Sequence, residues 1–383
     1  MKKIFVFLSD ISTHNMVKYL QELGYEIVVY SNKYRNDNRD YVEVTGELLD
    51  STFYAVFTYN FYPELSALCN ERNIYYISWI VDNPHFALEA TEVYYPTNRI
   101  FSFDRDQVNY LIKKGINCVY HLPLGVDIDG FGLRRTNSNK YNADVSFVGN
   151  LYNDNTHNLY QQIEYLPLYS MGYINAMIQA QQKVADNIIN PGVFSKHVWE
   201  ELQSYIRFEE SGRFQISYES QLIDIILKEV TKRERCGAVS LLNHFFDFRL
   251  YSGSSLEFDS KLKNAGYVDY KTEMPLVFKH SKININITLR SITSGIPLRA
   301  LDIMACGGFL LSNCQKELQE FFIEGKECVF YYDLEDMIDK CAYYISHAEE
   351  RKAIAEAGHQ KVKEEFSLKG QLARMKDILE ENE

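Results

Sequence analysis

Two arginines and an aspartate, Arg290, Arg299 and Asp302, fall inside one short stretch, Ile283 to Asn313, that reads ININITLRSITSGIPLRALDIMACGGFLLSN. Guanidinium groups neutralise phosphate oxygens, and a carboxylate accepts hydrogen bonds from sugar hydroxyls. A diphosphate that carries a ribose needs both kinds of partner at once, so the trio points to a nucleotide-sugar site. The residues between them add a third ingredient. Pro297 suits the first position of a helix, where a missing N–H is no loss, and Gly307–Gly308 suits the left-handed turn that ends one. A helix over 297–305 would aim its N-terminal amides and positive dipole end at the same ligand, with the Ser294–Gly295 loop leading into it. Arg299 and Asp302, three apart, share a face, while Leu298, Leu301, Met304 and Ala305 can face a core. The plainer reading of the same pair is a surface ion pair on an ordinary helix.

Other residues offer weaker chemistry. Gly149–Asn150, after the apolar run ADVSFV, is a second place for backbone amides to meet a phosphate, or simply a turn between strand and helix. The segment WIVDNPH (79–85) ends a buried run with an acid and an imidazole. Asp82 or His85 could there take the proton of an attacking hydroxyl; alternatively Asp82 caps a helix that Pro84 begins. Asp10 and His14, near the first strand-to-helix turn, are lesser candidates of the same kind. The triplets Asp104-Arg-Asp106 and Asp127-Ile-Asp129 resemble diphosphate-bound metal ligands, but the first opens a helix and the second sits in a linker, so no metal is expected. There is no GxGxxG, Walker loop, HExxH or CxxC, which argues against dinucleotide oxidoreductases, P-loop enzymes and zinc sites.

At 383 residues the chain has room for two domains, and 46% hydrophobic with 24% charged residues describes a packed protein. A net charge of −12 argues against a broad nucleic-acid surface. The apolar run after Met1, Ile4 to Leu8, is short for a secretory signal, and no stretch reaches membrane-spanning length. Seven scattered cysteines fit a reducing compartment, so a cytoplasmic location is expected. The 29 tyrosines and 23 phenylalanines can stack on sugars, but most should pack cores.

The elements that must position these residues alternate between short apolar strands and helices. KIFVFL, YEIVVYS, FYAVFTY, NIYYISWIV, RIFSF and INCVYHLPL read as strands, with helices over Ser12–Leu23 and Asp106–Lys114. Nearly continuous apolar strands mean a parallel, doubly wound sheet, with ligands at the carboxyl ends. Residues 125–142 read as a linker, and ADVSFVGN opens a second domain. Residues 156–235 lose the alternation and read as a helical insertion. The alternation resumes with CGAVSLLN as a strand, a helix over Ser255–Asn264, a Gly266–Asp269 turn, KININIT and ECVFYY. Helices over 334–347, 349–364 and 368–381 close the chain.

With these residues in view, the chain resembles GT-B-fold glycosyltransferases of the group-1 type, in particular spore maturation protein CgeB-like enzymes. PLRALDIMACGGFLLSN (297–313) looks like the family's R-x-x-E-x-x-A-C-G block. GYVDYKTEMPLVFKHSKININIT (266–288), ADVSFVGNLY (143–152), WIVDNPH (79–85) and HLPLGVD (121–127) support the likeness, which is strongest over about 236–366. The resemblance implies an α/β chain of two facing Rossmann-like domains: an acceptor domain at 1–140, a nucleotide-sugar domain at 141–365 with the insertion at about 156–235, and a helix at 366–383 that packs back on the first. It implies that Asp302 holds the ribose hydroxyls, where the wider fold usually has Glu. The backbone at Tyr267–Val268 would contact the base, with Arg290 and Arg299 stabilising the diphosphate. Where retaining members carry a first acid, eight positions before that carboxylate, this chain has Ser294, which leaves the stereochemical course open.

The expected function is therefore transfer of a sugar, UDP-linked by expectation, to an acceptor saccharide or protein. No cofactor beyond the nucleotide-sugar substrate is expected, and fixed cations would take the place of a metal at the leaving group. Two alternatives stay open: a nucleotide-sugar epimerase of the same fold, which needs no acceptor, and a non-catalytic binding or assembly protein. The insertion would serve either acceptor recognition or a homo-oligomer contact.

Overall fold

A computed structural model describes residues 1–8, 14–31, 45–47, 49–131, 139–154, 156–208 and 216–382. Asp10, the start of the expected Ser12–Leu23 helix and part of the 125–142 linker lie outside the described residues. The chain divides into two compact units: Met1–Asp129 with Glu210–Ile216 and Glu365–Glu383, and Gly130–Glu209 with Ser217–Glu364. Each is built on a parallel sheet, the architecture expected from the sequence.

The first unit contains β1 (Lys3–Leu8), α1 (His14–Glu22), β2 (Glu26–Ser31), β3 (Phe53–Tyr59), α2 (Pro63–Glu71), β4 (Tyr75–Ile80), β5 (Asn98–Ser102), α3 (Arg105–Lys113) and β6 (Val119–His121). Its six strands lie in the order β2-β1-β3-β4-β5-β6, all parallel. In β3 every residue but Tyr54 is buried, as a strand covered on both faces requires. The last helix, α12 (Leu368–Glu381), belongs to this unit. Leu368 N donates to Val126 O at 2.8 Å and Lys376 Nζ to Leu23 O at 3.0 Å. Gly125 allows that docking, because a Cβ there would lie 2.8 Å from the Leu368 backbone.

The second unit contains β7 (Ala143–Val148), α4 (Leu168–Gln181), α5 (Lys196–Tyr205), α6 (Tyr218–Phe245), β8 (Phe248–Tyr251), α7 (Met274–His280), β9 (Ser281–Asn286), α8 (Leu298–Ala305), β10 (Leu310–Asn313), α9 (Lys316–Phe321), β11 (Val329–Tyr331), α10 (Leu334–Ser346) and α11 (Ala348–Glu365). The strand order is β11-β10-β9-β7-β8. The chain runs outward from β7 to β8, then returns to the other side of β7 as β9, so the topology switches between β7 and β9. Such a switch opens a crevice at the carboxyl ends, the usual ligand position in an open parallel sheet.

Two expected elements are corrected. CGAVSLLN is the end of α6, a helix of 28 residues, rather than a strand. Its buried residues Ala238, Val239 and Leu242 recur at helical spacing and pack into the sheet core, while Leu222, Ile226 and Val230 of the same helix pack into the insertion's own core. A single rod thus carries both cores, and its apolar run is no shorter-range strand. Ser255–Asn264 forms turns instead of a helix. Asp259 Oδ1 accepts from Lys261 N, and Asn264 bonds Ser252 N, Ser252 O and Gly266 N, so polar side chains compete successfully with the helical backbone.

The helix that follows β9 is short and cleanly bounded. Pro297 is its extended N-cap rather than its first helical residue, and no side chain caps it. Gly307 adopts φ +73°, and Gly308 N bonds Ile303 O at 3.0 Å, which turns the chain straight into β10. Gly308 has no room for a side chain: a Cβ would meet Asn284 Nδ2 and Phe278 O, each at 2.8 Å. Gly308→Ala is therefore expected to destabilise the protein by about 1–3 kcal/mol through overpacking, read as a lower urea midpoint. An unchanged midpoint would contradict this packing.

Candidate functional site

Buried polar side chains hold the carboxyl ends of β9 and β10 in register. Ser146 Oγ donates to Asn284 Oδ1 at 2.9 Å and Asn286 Nδ2 to Ser312 Oγ at 2.8 Å, while Thr288 N donates to Asn313 Oδ1 at 2.8 Å. The loop from β9 to α8 is pinned in turn. Gln315 Nε2 donates to Ile292 O at 2.8 Å, and Ser294 Oγ to the buried Glu317 carboxylate at 2.8 Å. Ser294 and Gly295 are thus fixed within the loop that delivers α8. This loop reaches the α8 N-terminus already ordered.

Arg235, which the sequence reading passed over, occupies the crevice. Reaching from α6, its NH1 donates to Asn150 O at 2.6 Å and its NH2 to Ile287 O, so one guanidinium joins the ends of β7 and β9. The rings of Phe147 and Tyr152 lie 5.6 and 5.1 Å from it. Its buried Nε has no hydrogen-bond partner, and among the described residues no carboxylate lies within ion-pair distance. Burial lowers its pKa and Arg299 adds to that, while Glu234 pulls the other way, and the guanidinium keeps its proton. Arg299 is paired with Asp302, so of these two cations it is Arg235 that has no ion-pair partner among the described residues. The signal in the sequence was only a cation within a charged helical run, and nothing local marks which of its residues turns toward the sheet.

Arg290 is placed differently from its expected role. Its guanidinium grips Glu234 in a two-pronged pair, with Nε at 2.9 and 3.0 Å and NH2 at 2.5 Å, and NH1 donates to Ala185 O at 2.9 Å. Its charge is already neutralised, and it braces the insertion against the β9 loop. A shallow, open hollow beside it is lined by Glu234, Arg290, Asn313 and Cys314. Gly149 is likewise committed: its N–H bonds Tyr251 O at 3.1 Å and so extends the sheet. Asn150 Oδ1 accepts from Tyr152 N at 2.5 Å and from Ser254 Oγ at 3.3 Å, which shapes the turn after β7.

Asp302 lies on α8 and is 1% exposed. Tyr270 OH donates to its Oδ1 at 2.8 Å, and Arg299 NH1 stands 3.5 Å from its Oδ2. Arg299 also rests on Met274 Sδ and lies over the Phe278 ring at 5.7 Å. Burial pushes Asp302 up to about 6, with Arg299 and Tyr270 pulling the other way. Tyr267 is 80% exposed while its neighbour Val268 is buried, so their backbone forms a lip ahead of α7.

In the first unit, Asp82 and His85 follow β4 through a cis Asn83–Pro84 bond. Pro84 starts no helix and Asp82 caps none; the next turn is a 3-10 segment, Phe86–Glu89. Asp82 is exposed and accepts from Asn60 Nδ2 at 2.7 Å. His85 Nε2 lies 3.0 Å from Phe61 N and accepts from it, and burial lowers the ring's pKa, so a neutral imidazole supports the Phe61 backbone. Asp104 caps α3 through Asp106 N and Gln107 N. Asp127 accepts from Asn15 Nδ2 at 2.9 Å. His14 begins α1.

Residues 229–379 match the family model described as glycosyl transferase-like. No curated protein sequence matches the chain. Among solved structures, it is similar to a glycosyltransferase from Rickettsia africae, at 12% identity and a TM-score of 0.53 over 99% of this chain and 98% of that one. Sucrose-phosphate synthase from Thermosynechococcus elongatus gives 10% and 0.53 over 100% and 99%. Anabaena Alr3699/HepE, solved with UDP and glucose, gives 8% and 0.53 over the full length of both. At such identities the likeness concerns the fold, and the fold is that of the GT-B glycosyltransferases. Among the described residues no helix is long and apolar enough to cross a membrane.

The raised pKa of Asp302 makes stability depend on pH. Below its ordinary value of 3.8 the carboxyl is protonated whether folded or not; between 3.8 and about 6 the unfolded chain ionises first. Stability therefore falls as pH rises through this window, by roughly 3 kcal/mol at most for this group. Asp302→Asn is expected to gain on the wild type by that order between pH 4 and pH 7, measured by urea unfolding. A difference that stays constant with pH would show that the carboxyl is not buried as described.

Proposed function

We propose that the protein is a glycosyltransferase whose second unit binds a nucleotide-sugar donor at the carboxyl ends of β7 and β9. The observation that carries this reading is Arg235: a cation at the topological switch, without a carboxylate at ion-pair distance among the described residues and within electrostatic reach of Arg299. The narrower likeness to CgeB-like enzymes, and UDP as the nucleotide, belong to the same proposal. UDP is favoured because the Anabaena neighbour was solved with UDP and with UDP-glucose.

In this reading the diphosphate lies against Arg235, Arg299 and the first amides of α8. As the bond from the anomeric carbon to the phosphate oxygen breaks, charge grows on that oxygen and the sugar becomes oxocarbenium-like. Fixed cations and amides stabilise that charge without reorganising, and no metal is required for it. Asp302 takes the ribose hydroxyls, and the Tyr267–Val268 backbone meets the base. Arg290 keeps the β9 loop in place through Glu234. In the first unit, Asp82 is the acceptor's general base, since its carboxylate is exposed while the His85 nitrogen is engaged with Phe61. The course at the anomeric carbon turns on what replaces the acid at Ser294, whose hydroxyl is bonded to Glu317.

A thermal-shift screen against UDP-, GDP-, dTDP- and CDP-sugars tests the reading, because a ligand specific for the folded state raises the melting temperature. UDP-sugars are expected to give the largest shift; no shift with any of the four would remove the donor site. Product analysis with donor alone separates transfer from epimerisation, which would proceed without acceptor.

The clamp can be tested separately. Arg235→Ala and Arg299→Ala should each weaken UDP binding by about 1.5–3 kcal/mol, the range for a hydrogen bond to a charged group, with Arg235→Lys in between. Calorimetry that finds Arg235→Ala and wild type equal would return the crevice to a purely structural role.

A further inference from the structure

Tyr270 is a wedge with two environments. The residue as a whole is 37% exposed, while its hydroxyl lies inside on Asp302 Oδ1 at 2.8 Å. Burial, together with the adjacent carboxylate, holds the phenol well above its ordinary range, so it is a committed donor. It stands on the irregular segment 265–273, after Gly266 at φ +83°, and outside any helix or strand. Its ring meets Phe131 at 5.8 Å. Asp302 is covered while Tyr270 is in place, and its other polar neighbour, Arg299 NH1, stands back at 3.5 Å.

We infer that Tyr270 holds the place of the donor's ribose in the free protein: its hydroxyl occupies Asp302, and the nucleotide's ribose hydroxyls displace it on binding. This rests on the donor reading above. A buried carboxylate left without a donor is costly, and the phenol supplies one O–H in the absence of ligand. A ribose offers two adjacent hydroxyls to the same two oxygens, so the exchange replaces one charge-assisted bond by two. The partial exposure of the residue and its irregular backbone give Tyr270 a way out toward solvent. A nucleotide without both hydroxyls would gain little from displacing it, so the device favours ribonucleoside over 2′-deoxyribonucleoside diphosphates.

Calorimetry with UDP on the full chain at pH 8, where Asp302 is ionised, tests this. Tyr270→Phe removes the bond that must be broken and is expected to bind UDP about tenfold tighter than wild type. Equal or weaker binding overturns the inference. Should Tyr270→Phe fail to fold, a wild-type crystal soaked with UDP decides: a ribose oxygen on Asp302 with the Tyr270 hydroxyl withdrawn supports the exchange, and a retained 2.8 Å bond overturns it. UDP that binds wild type but not Asp302→Asn, with Tyr270→Phe unchanged, removes the placeholder and leaves the transferase reading standing. Wild type that binds no nucleotide removes both.

Discussion

A guanidinium buried between two strand ends, with carbonyl partners and no carboxylate of its own, is the constraint around which the second unit is organised. Arg235 closes the gap that the strand order opens between β7 and β9, by bonding Asn150 O and Ile287 O. Desolvating a cation is expensive unless its charge is met, and carbonyl dipoles meet it only in part. The adjacent Glu234 eases it only in part, because that carboxylate is engaged by Arg290. Two neighbours on one helix thus divide the labour: Glu234 neutralises and braces, and Arg235 keeps its charge at the crevice. In the proposed function an anionic ligand would complete the balance that the protein leaves open.

The polar pins around the crevice give that charge a fixed frame. Asn286 with Ser312, Asn313 with Thr288, and Ser294 with Glu317 are satisfied inside the unit, so the β9 loop is ordered before any ligand arrives. Preorganisation of this kind lowers the entropy lost on binding and lets fixed dipoles act on a developing charge. Asp302 shows the opposite arrangement. Its carboxylate is buried at an energetic disadvantage and shielded by a tyrosine from an irregular segment. Rigidity in the β9 loop and a tyrosine partner at the acid suit the proposed site, which would grip a diphosphate and then release it.

The architecture was legible because parallel strands covered on both faces leave near-continuous apolar runs, as in FYAVFTY and KININIT, and because Pro and Gly punctuate α8. The reading failed where a segment's neighbours, rather than its own composition, decided its form. CGAVSLLN is apolar enough for a strand, yet the rod that begins at Tyr218 in the insertion core continues through it. The polar side chains of Asp259 and Asn264 pulled 255–264 into turns against its helical pattern. The site divided in the same way: Arg299 and Asp302 stand one helical turn apart in sequence and in space, so their partnership was visible.

Arg235 and Tyr270 come from far along the chain, and no local spacing links either to α8. By itself, the order of residues determined two parallel-sheet units, a short helix bounded by Pro297 and Gly307, and an arginine and an acid on one of its faces. Hydrophobic period and backbone preference act over a few residues, so they can be read without a fold. Only the tertiary structure decided which arginine keeps its charge and what covers the acid. Charge compensation and burial depend on which distant groups the packed core brings within hydrogen-bond reach, and that distance is absent from the sequence.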